Sequence, residues 1–246
     1  MSVFPLLKRP FAVFADLLYP RMCPVCHALL ELSDGPVCRK CVETIIFFRD
    51  PLCCRCGRTV STNCSEKTRC EKCAHEEFQF DRLCAGGVYE GGLKECIHAF
   101  KFGKKEHLGK WFADTMVSCL PRNAAGIRGY DLVVPVPMHP VKKKERGFNQ
   151  AEVLSRHLSD RLGIPYRFDV LRRKNEGRVQ SSLSRKERFL NVEAVFALHR
   201  PGLVRGRACI LVDDIYTTGA TAGACAALLK RGGAQNIAVL VVARSI

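Results

Sequence analysis

The chain's most chemically suggestive run lies between Cys209 and Ala222, where two adjacent carboxylates, Asp213 and Asp214, precede Thr217, Thr218, Gly219, Ala220 and Thr221. An apolar stretch read as a strand over 208–212 leads in, and an alanine-rich helix read over about 220–231 leads out. Carboxylates accept hydrogen bonds from sugar hydroxyls, and free backbone N–H groups at a helix start hold a phosphate. A sugar phosphate needs both at once. No Gly-Lys-Ser/Thr follows, so this is not a Walker A loop, and no Gly-x-Gly-x-x-Gly dinucleotide loop is present. A simple helix cap through Thr217 or Thr218 would use one side chain and leave two repelling carboxylates without a purpose.

The second set is made of cysteines. Ten of the fifteen lie between Cys23 and Cys73. Cys23/Cys26 and Cys38/Cys41 are Cys-x2-Cys knuckles eleven residues apart, and Cys53/Cys56 and Cys70/Cys73 are two more, thirteen apart. Each knuckle offers two thiolates to one tetrahedral ion, and two knuckles complete a closed four-sulfur shell. These eight cysteines are therefore read as structural Zn²⁺ ligands, with sequential and cross-braced pairing both open. Cys54 and Cys64 are spare thiols that could replace a named ligand. The intervening apolar residues, such as Val37, Ile45 and Phe47, are too few for a separate core. Metal would supply folding energy on the order of 10 kcal/mol per site.

The elements that would carry these residues alternate. Gly86–Lys94 reads as a short strand and turn, followed by a helix with Leu93, Ile97 and Phe100 on one side. That helix breaks at Lys101–Lys105, and another runs from Leu108 to about Leu120. His98 and His107 read as surface or packing residues, and Lys94 and Lys101 as cations able to face an anion. Asp131–Pro137 is an apolar strand stopped by proline. Met138–Gly147 reads as a basic loop, and a helix begins near Phe148–Gln150 and ends at Gly163. Residues 167–190 carry little strand pattern and many charges, which makes them a candidate lid. Ala194–Leu198 and Ile237–Val242 are further strands. Apolar strands alternating with helices give an α/β fold with a mainly parallel sheet, whose ligands sit at the carboxyl ends of the strands. The division expected is a short amphipathic segment (1–20), a cysteine-rich module (21–85) and an α/β domain (86–246).

The net charge of +15 is uneven. Residues 1–85 hold twelve Lys/Arg against ten Asp/Glu, whereas 142–188 hold fourteen against six. Such a concentration points to phosphate-bearing partners. No stretch is long and apolar enough for a membrane span, and Lys8, Arg9 and Asp16 interrupt the apolar N-terminus without a signal-peptide cleavage site, so a reducing compartment is expected.

On these residues the chain resembles a type I phosphoribosyltransferase, and more narrowly the ComF family of competence-associated proteins. The cysteine knuckles match that family's zinc module. Further matches are Tyr89-x-Gly-x-x-Lys94 with Ile97-x-x-Phe100-Lys101-Phe102-x-x-Lys105, and Pro135-Val136-Pro137 with Arg146–Gln150. Gln180-x-x-Leu183 with Arg188, Asn191 and Phe196, and Val212–Thr221, complete the set. Gly177 stands where many relatives have threonine. The resemblance implies that Asp213 and Asp214 address the ribose hydroxyls of phosphoribosyl pyrophosphate, directly or through Mg²⁺. Thr217, Thr218, Gly219, Ala220 and Thr221 would wrap the 5-phosphate. The turn at Val136 would approach the pyrophosphate, with Arg146 as the first cation there and Arg173 or Arg178 as the second. It also implies a cytoplasmic protein handling single-stranded DNA in natural transformation, near the inner-membrane uptake apparatus. A DNA-translocating ATPase and a recombination mediator are the implied partners. A non-catalytic DNA-binding or adaptor protein that kept the fold is the alternative, and a free-base salvage enzyme the third reading.

Overall fold

The computed structural model describes residues 20–31, 33–48, 52–53, 55–60, 69–103, 105–120, 129–174 and 195–245. The expected N-terminal amphipathic segment, Cys54, Cys64 and most of the candidate lid, including Gly177 and Arg178, lie outside them.

A four-stranded parallel sheet organises the chain. Its strands are β1 (Arg82–Val88), β2 (Leu132–Pro135), β5 (Cys209–Tyr216) and β6 (Ile237–Arg244), in the order β1-β6-β5-β2. Such central strands must be apolar on both faces, and all eight residues of β6 are buried. Leu93, Ile97, Phe100, Phe112, Met116, Leu154 and Leu158 cover one face, from helices α3 (Gly91–Phe102), α4 (Leu108–Ser118) and α6 (Gln150–Leu162). The other face meets α7 (Ala220–Arg231) and a small antiparallel hairpin of β3 (Leu171–Arg173) and β4 (Phe196–Leu198). Because the large strands are parallel, their carboxyl ends share one edge.

Several elements differ from expectation. β1 begins at Arg82, so the sheet takes in residues on both sides of position 85. Gly86 and Gly87 lie in this strand, ahead of the expected turn. A Cβ on Gly86 would stand 2.6 Å from the Val242 carbonyl oxygen, and one on Gly87 2.6 Å from that of Ile46, so the glycines serve close backbone approach. The basic loop is a helix, α5 (Pro140–Arg146). Pro140 presets its first turn, His139 Nδ1 accepts from Val141 N–H, and Gly147 closes it in the left-handed region. Its charges hid it, because no residue of this short helix is buried. Leu171–Arg173 is a strand within a stretch read as patternless. β5 continues through Asp213 and Asp214 to Tyr216, since pairing with β6 holds Asp213 opposite Val241 and Tyr216 opposite Arg244.

α6 has the expected limits, capped by Asn149 at one end and by left-handed Gly163 at the other. Two short helices, α1 (Arg39–Glu43) and α2 (Glu71–His75), sit in the cysteine-rich region, each starting after a knuckle's first cysteine. Among the described residues no helix is long and apolar enough to cross a membrane.

Candidate functional site and two cysteine clusters

At the carboxyl edge of the sheet, Asp213 and Asp214 serve opposite sides. Asp214 Oδ2 lies 2.9 Å from Lys101 Nζ near the end of α3, and both side chains are mostly buried, 13% and 16% exposed. Asp213 accepts a hydrogen bond from the Asp214 N–H at 2.9 Å. Burial, and next the neighbouring Asp214 charge, push its carboxyl up to about 7, against the pull of that N–H and of Lys101. One carboxylate thus has an internal counter-ion, and the other would gain from an added cation or hydrogen-bond donor.

The loop that follows is built for an anion. Gly219 takes φ +80° as the N-cap of α7 and offers no side-chain cap of its own. Thr217 and Thr218 are exposed, and Thr218 Oγ1 only weakly accepts the Ala220 N–H at 3.4 Å. Gly219 is obligatory, because a Cβ there would overlap the Tyr216 ring. Val136 follows the carboxyl end of β2, next to β5. Its N–H donates to the Val212 carbonyl at 2.9 Å, and its own carbonyl accepts from Asn149 Nδ2 at 3.1 Å. Asn149 therefore caps α6 and pins the turn after β2.

Arg146 lies at the end of α5, where its guanidinium stacks 4.8 Å from the Phe102 ring centroid and donates to Gln150 Oε1 at 3.1 Å. With Lys101, Phe102, Lys142 and Glu145 it lines a cavity of about 300 Å³. Lys101 joins this cavity to Asp214. The structure thus gathers Asp213, Asp214, Val136, Arg146 and residues 217–221 at one edge. Arg173 lies on β3, its guanidinium 5.5 Å from the Phe196 ring.

The eight cysteines form two sequential clusters, Cys23/Cys26/Cys38/Cys41 and Cys53/Cys56/Cys70/Cys73, with all sulfurs of each within 4.8 Å of one another. The cross-braced alternative does not occur. Cys26 and Cys38 sulfurs are 3.6 Å apart, and those of Cys56 and Cys70 3.7 Å. These spacings are far beyond a disulfide bond and match the edge of a tetrahedron with Zn–S bonds of about 2.3 Å. Burial raises the Cys23 thiol, yet backbone N–H groups, Cys26 first, bring it down to about 6. Cys41 and Cys73 are pushed far up, by burial and then by neighbouring thiols. A dication would relieve that crowding, so the donor sets fit zinc.

The sequence leaves the roles of three residues here unread. Lys101 was singled out as a cation but not as the partner of Asp214. Tyr216 and Arg244 were not singled out at all. Arg244, only 5% exposed, donates to the Cys56 carbonyl, and its guanidinium lies 5.4 Å from the Tyr216 ring centroid. A charged residue ending an otherwise apolar strand was the available signal.

Comparison with known proteins gives two family matches. Residues 14–74 match the model for a double zinc ribbon domain, and residues 147–245 that for a phosphoribosyl transferase domain. The chain is 31% identical over 217 residues to the competence protein ComFC of Streptococcus pneumoniae, covering 88% of this chain and 91% of that protein. It is 28% identical over 232 residues to the DNA utilization protein YhgH of Salmonella typhimurium, covering 94% of this chain and all of that one. Among solved structures, glutamine phosphoribosylpyrophosphate amidotransferase from B. subtilis aligns with a TM-score of 0.36 and 22% identity, over 58% of this chain and 26% of that one.

Proposed function

The chain belongs to the ComF family of competence-associated proteins, and we propose that its α/β domain binds phosphoribosyl pyrophosphate at the carboxyl edge of the sheet. The observation that carries this reading is the convergence of two carboxylates, a helix start with glycine at its N-cap and a cation-lined cavity at that edge. Asp213 and Asp214 would accept the ribose hydroxyls. The N–H groups of Thr217, Thr218, Gly219, Ala220 and Thr221 would hold the 5-phosphate. The turn at Val136, Arg146 and Lys101 would face the pyrophosphate. Bound Mg²⁺ would offset the charge of the departing pyrophosphate oxygens. The protein groups would orient the ribose, and the Asp pair would favour the positive charge that builds on the ring at C1. Lys101 would have to leave Asp214, or share it, for the ribose to seat.

Residues 21–85 would then serve as a structural zinc module. Single-stranded DNA handled during uptake, in the cytoplasm near the inner-membrane apparatus, is the proposed context, with a DNA-translocating ATPase and a recombination mediator as partners. The family relationship and the basic segment 142–188 support that context, as do the printed names of the relatives. The test is calorimetric titration with phosphoribosyl pyrophosphate, with and without Mg²⁺. Magnesium-dependent binding, lost in Asp213→Asn/Asp214→Asn, is expected. Absence of binding by zinc-loaded, folded protein would leave a scaffold for DNA binding. In that case Lys142→Ala and Arg172→Ala, not the Asp pair, would control a steeply salt-dependent affinity for DNA.

A further inference from the structure

We propose that the second cysteine cluster, acting through Arg244 and Tyr216, holds the loop at residues 217–221 in the conformation that receives a phosphate. The proposal rests on the phosphate-binding reading of that loop and adds a positioning role for residues outside it.

Two routes lead from the knuckle Cys53–Cys56 to one aromatic ring. In the first, the Cys56 carbonyl accepts from Arg244 Nη1, and the same guanidinium lies over Tyr216. Arg244 is buried at the end of β6, and its Nε also donates to the Ser245 carbonyl at 3.3 Å. In the second, Arg55 donates to the Phe78 carbonyl at 3.1 Å and places its guanidinium 5.7 Å from the Phe78 ring centroid. Phe78 packs on Phe80 at 5.3 Å, and Phe80 meets Tyr216 edge-on at 6.2 Å. Tyr216 thus meets two residues, Arg244 and Phe80, each of which traces back to one four-residue knuckle.

The ring in turn supports the loop. Gly219 lies so close to it that even a methyl group would collide with the phenol end. The Tyr216 carbonyl accepts from Ser245 N–H at 2.9 Å, which keeps the loop's root level with the end of β6. An exposed Thr-Thr-Gly loop has few contacts of its own, so its shape depends on the surface beneath it. That surface is Tyr216.

The knuckle's geometry depends on its sulfurs. Cys53 Sγ accepts the Cys70 N–H at 3.2 Å, Cys53 N–H donates to the Arg58 carbonyl at 2.7 Å, and Gly57 N–H to the Cys53 carbonyl at 2.9 Å. Removing one thiolate, and with it the ion the cluster fits, would release the Cys56 carbonyl and the Arg55 backbone together. The first cluster has no such connection among the described residues, since its neighbours belong to the core of α3 and α4.

Amide hydrogen exchange of the full-length protein tests this without relying on activity. Peptides covering 222–227, which include the Gly223 N–H bonded to the Gly219 carbonyl at 2.7 Å, and 209–212 would be followed in wild type, Arg244→Met, Arg244→Lys, Phe78→Ala and Cys73→Ser, with zinc content measured in each. The expected result is exchange at 223–226, the first hydrogen-bonded turn after the loop, faster by tenfold or more in Arg244→Met and Cys73→Ser, and by about threefold in Phe78→Ala. Exchange at 209–212 should stay unchanged, Arg244→Lys should be intermediate, and Arg244→Met should keep wild-type zinc. Unchanged exchange at 223–226 in folded Arg244→Met and Phe78→Ala would overturn the proposal, whatever the fate of Cys73→Ser. Titrating the same proteins with phosphoribosyl pyrophosphate separates the two readings. Loosened exchange with no binding even in wild type would retain the positioning role and reject the ligand. Wild-type binding that persists unweakened in a loosened Arg244→Met would reject the positioning role.

Discussion

The two cysteine clusters have the same donor set but are joined to the α/β body in different ways. Around the first, Val37 and Ile45 are buried in one continuous core with Leu93, Ile97, Phe100 and Phe112, and Cys23, Cys38 and Cys41 belong to it. Around the second, Cys53, Cys56 and Cys73 form a small satellite with Val60, Cys70 and Phe78. It is tied to the sheet by backbone and guanidinium bonds, including Leu83 N–H to the Arg55 carbonyl at 3.0 Å. Identical metal chemistry can therefore serve global stability in one place and local geometry in another. What differs is the setting of the sulfurs: the first cluster is part of the main apolar core, and its ribbon also bonds β1 through Val88 N–H to the Ile46 carbonyl at 2.9 Å, whereas the second is a satellite joined through Arg55, Cys56 and Arg244.

Removing a buried ligand from each cluster should break the symmetry most visibly. Cys41→Ser should destabilise the whole chain by more than about 3 kcal/mol, because it removes metal-derived folding energy from a knuckle inside the main core. Cys73→Ser should cost less globally. Denaturant unfolding followed by circular dichroism measures both, and equal losses would erase the distinction. A smaller change sharpens the same point. Ile45→Ala leaves all eight sulfurs in place but opens the shared core, and should cost about 2–4 kcal/mol in a single cooperative transition. A separate low-temperature transition would mean that the first ribbon unfolds by itself.

At the site end, Lys101→Met removes the partner of a mostly buried Asp214 and should cost about 1–3 kcal/mol in the free protein. The loss should shrink when magnesium is added, if the cation takes the place of the ammonium. Thermal melts with and without Mg²⁺ read both effects. Asp213 gives the smallest change, and one of opposite sign. Its carboxyl is raised to about 7, above the usual carboxylate range. Between that range and about pH 7 the folded state therefore binds more protons than the unfolded state, and stability falls as pH rises through this window. Asp213→Asn should accordingly stabilise the ligand-free protein by about 1–2 kcal/mol at pH 8 and by little at pH 4, as expected where a binding site stores unfavourable charge. Melting curves at the two pH values check it.

Much of this was legible in the chain. Knuckle spacing marked two four-sulfur sites, and apolar strands alternating with helices marked the parallel sheet. Asn149 and Gly163 announced the ends of α6. These signals are local, a few residues wide, and follow from chain geometry. What escaped depends on tertiary contact. Lys101 and Asp214 are more than a hundred positions apart, and only the packing of α3 against the sheet edge pairs them. Arg244 joins Cys56 across the molecule, and no spacing rule connects a strand end to a zinc knuckle. α5 was lost for another reason: a fully solvated helix leaves no apolar period to read. The pairing of the knuckles also stayed open until the fold brought the sulfurs together.

The most direct test of the whole account is the structure of the protein with Mg²⁺ and phosphoribosyl pyrophosphate bound. The account predicts the 5-phosphate on the N–H groups of residues 217–221 above an unmoved Tyr216, with ribose hydroxyls on Asp213 and Asp214 and the Lys101–Asp214 contact opened or shared. A ligand seated elsewhere, or a phosphate loop left empty with Lys101 still closed on Asp214, would contradict it.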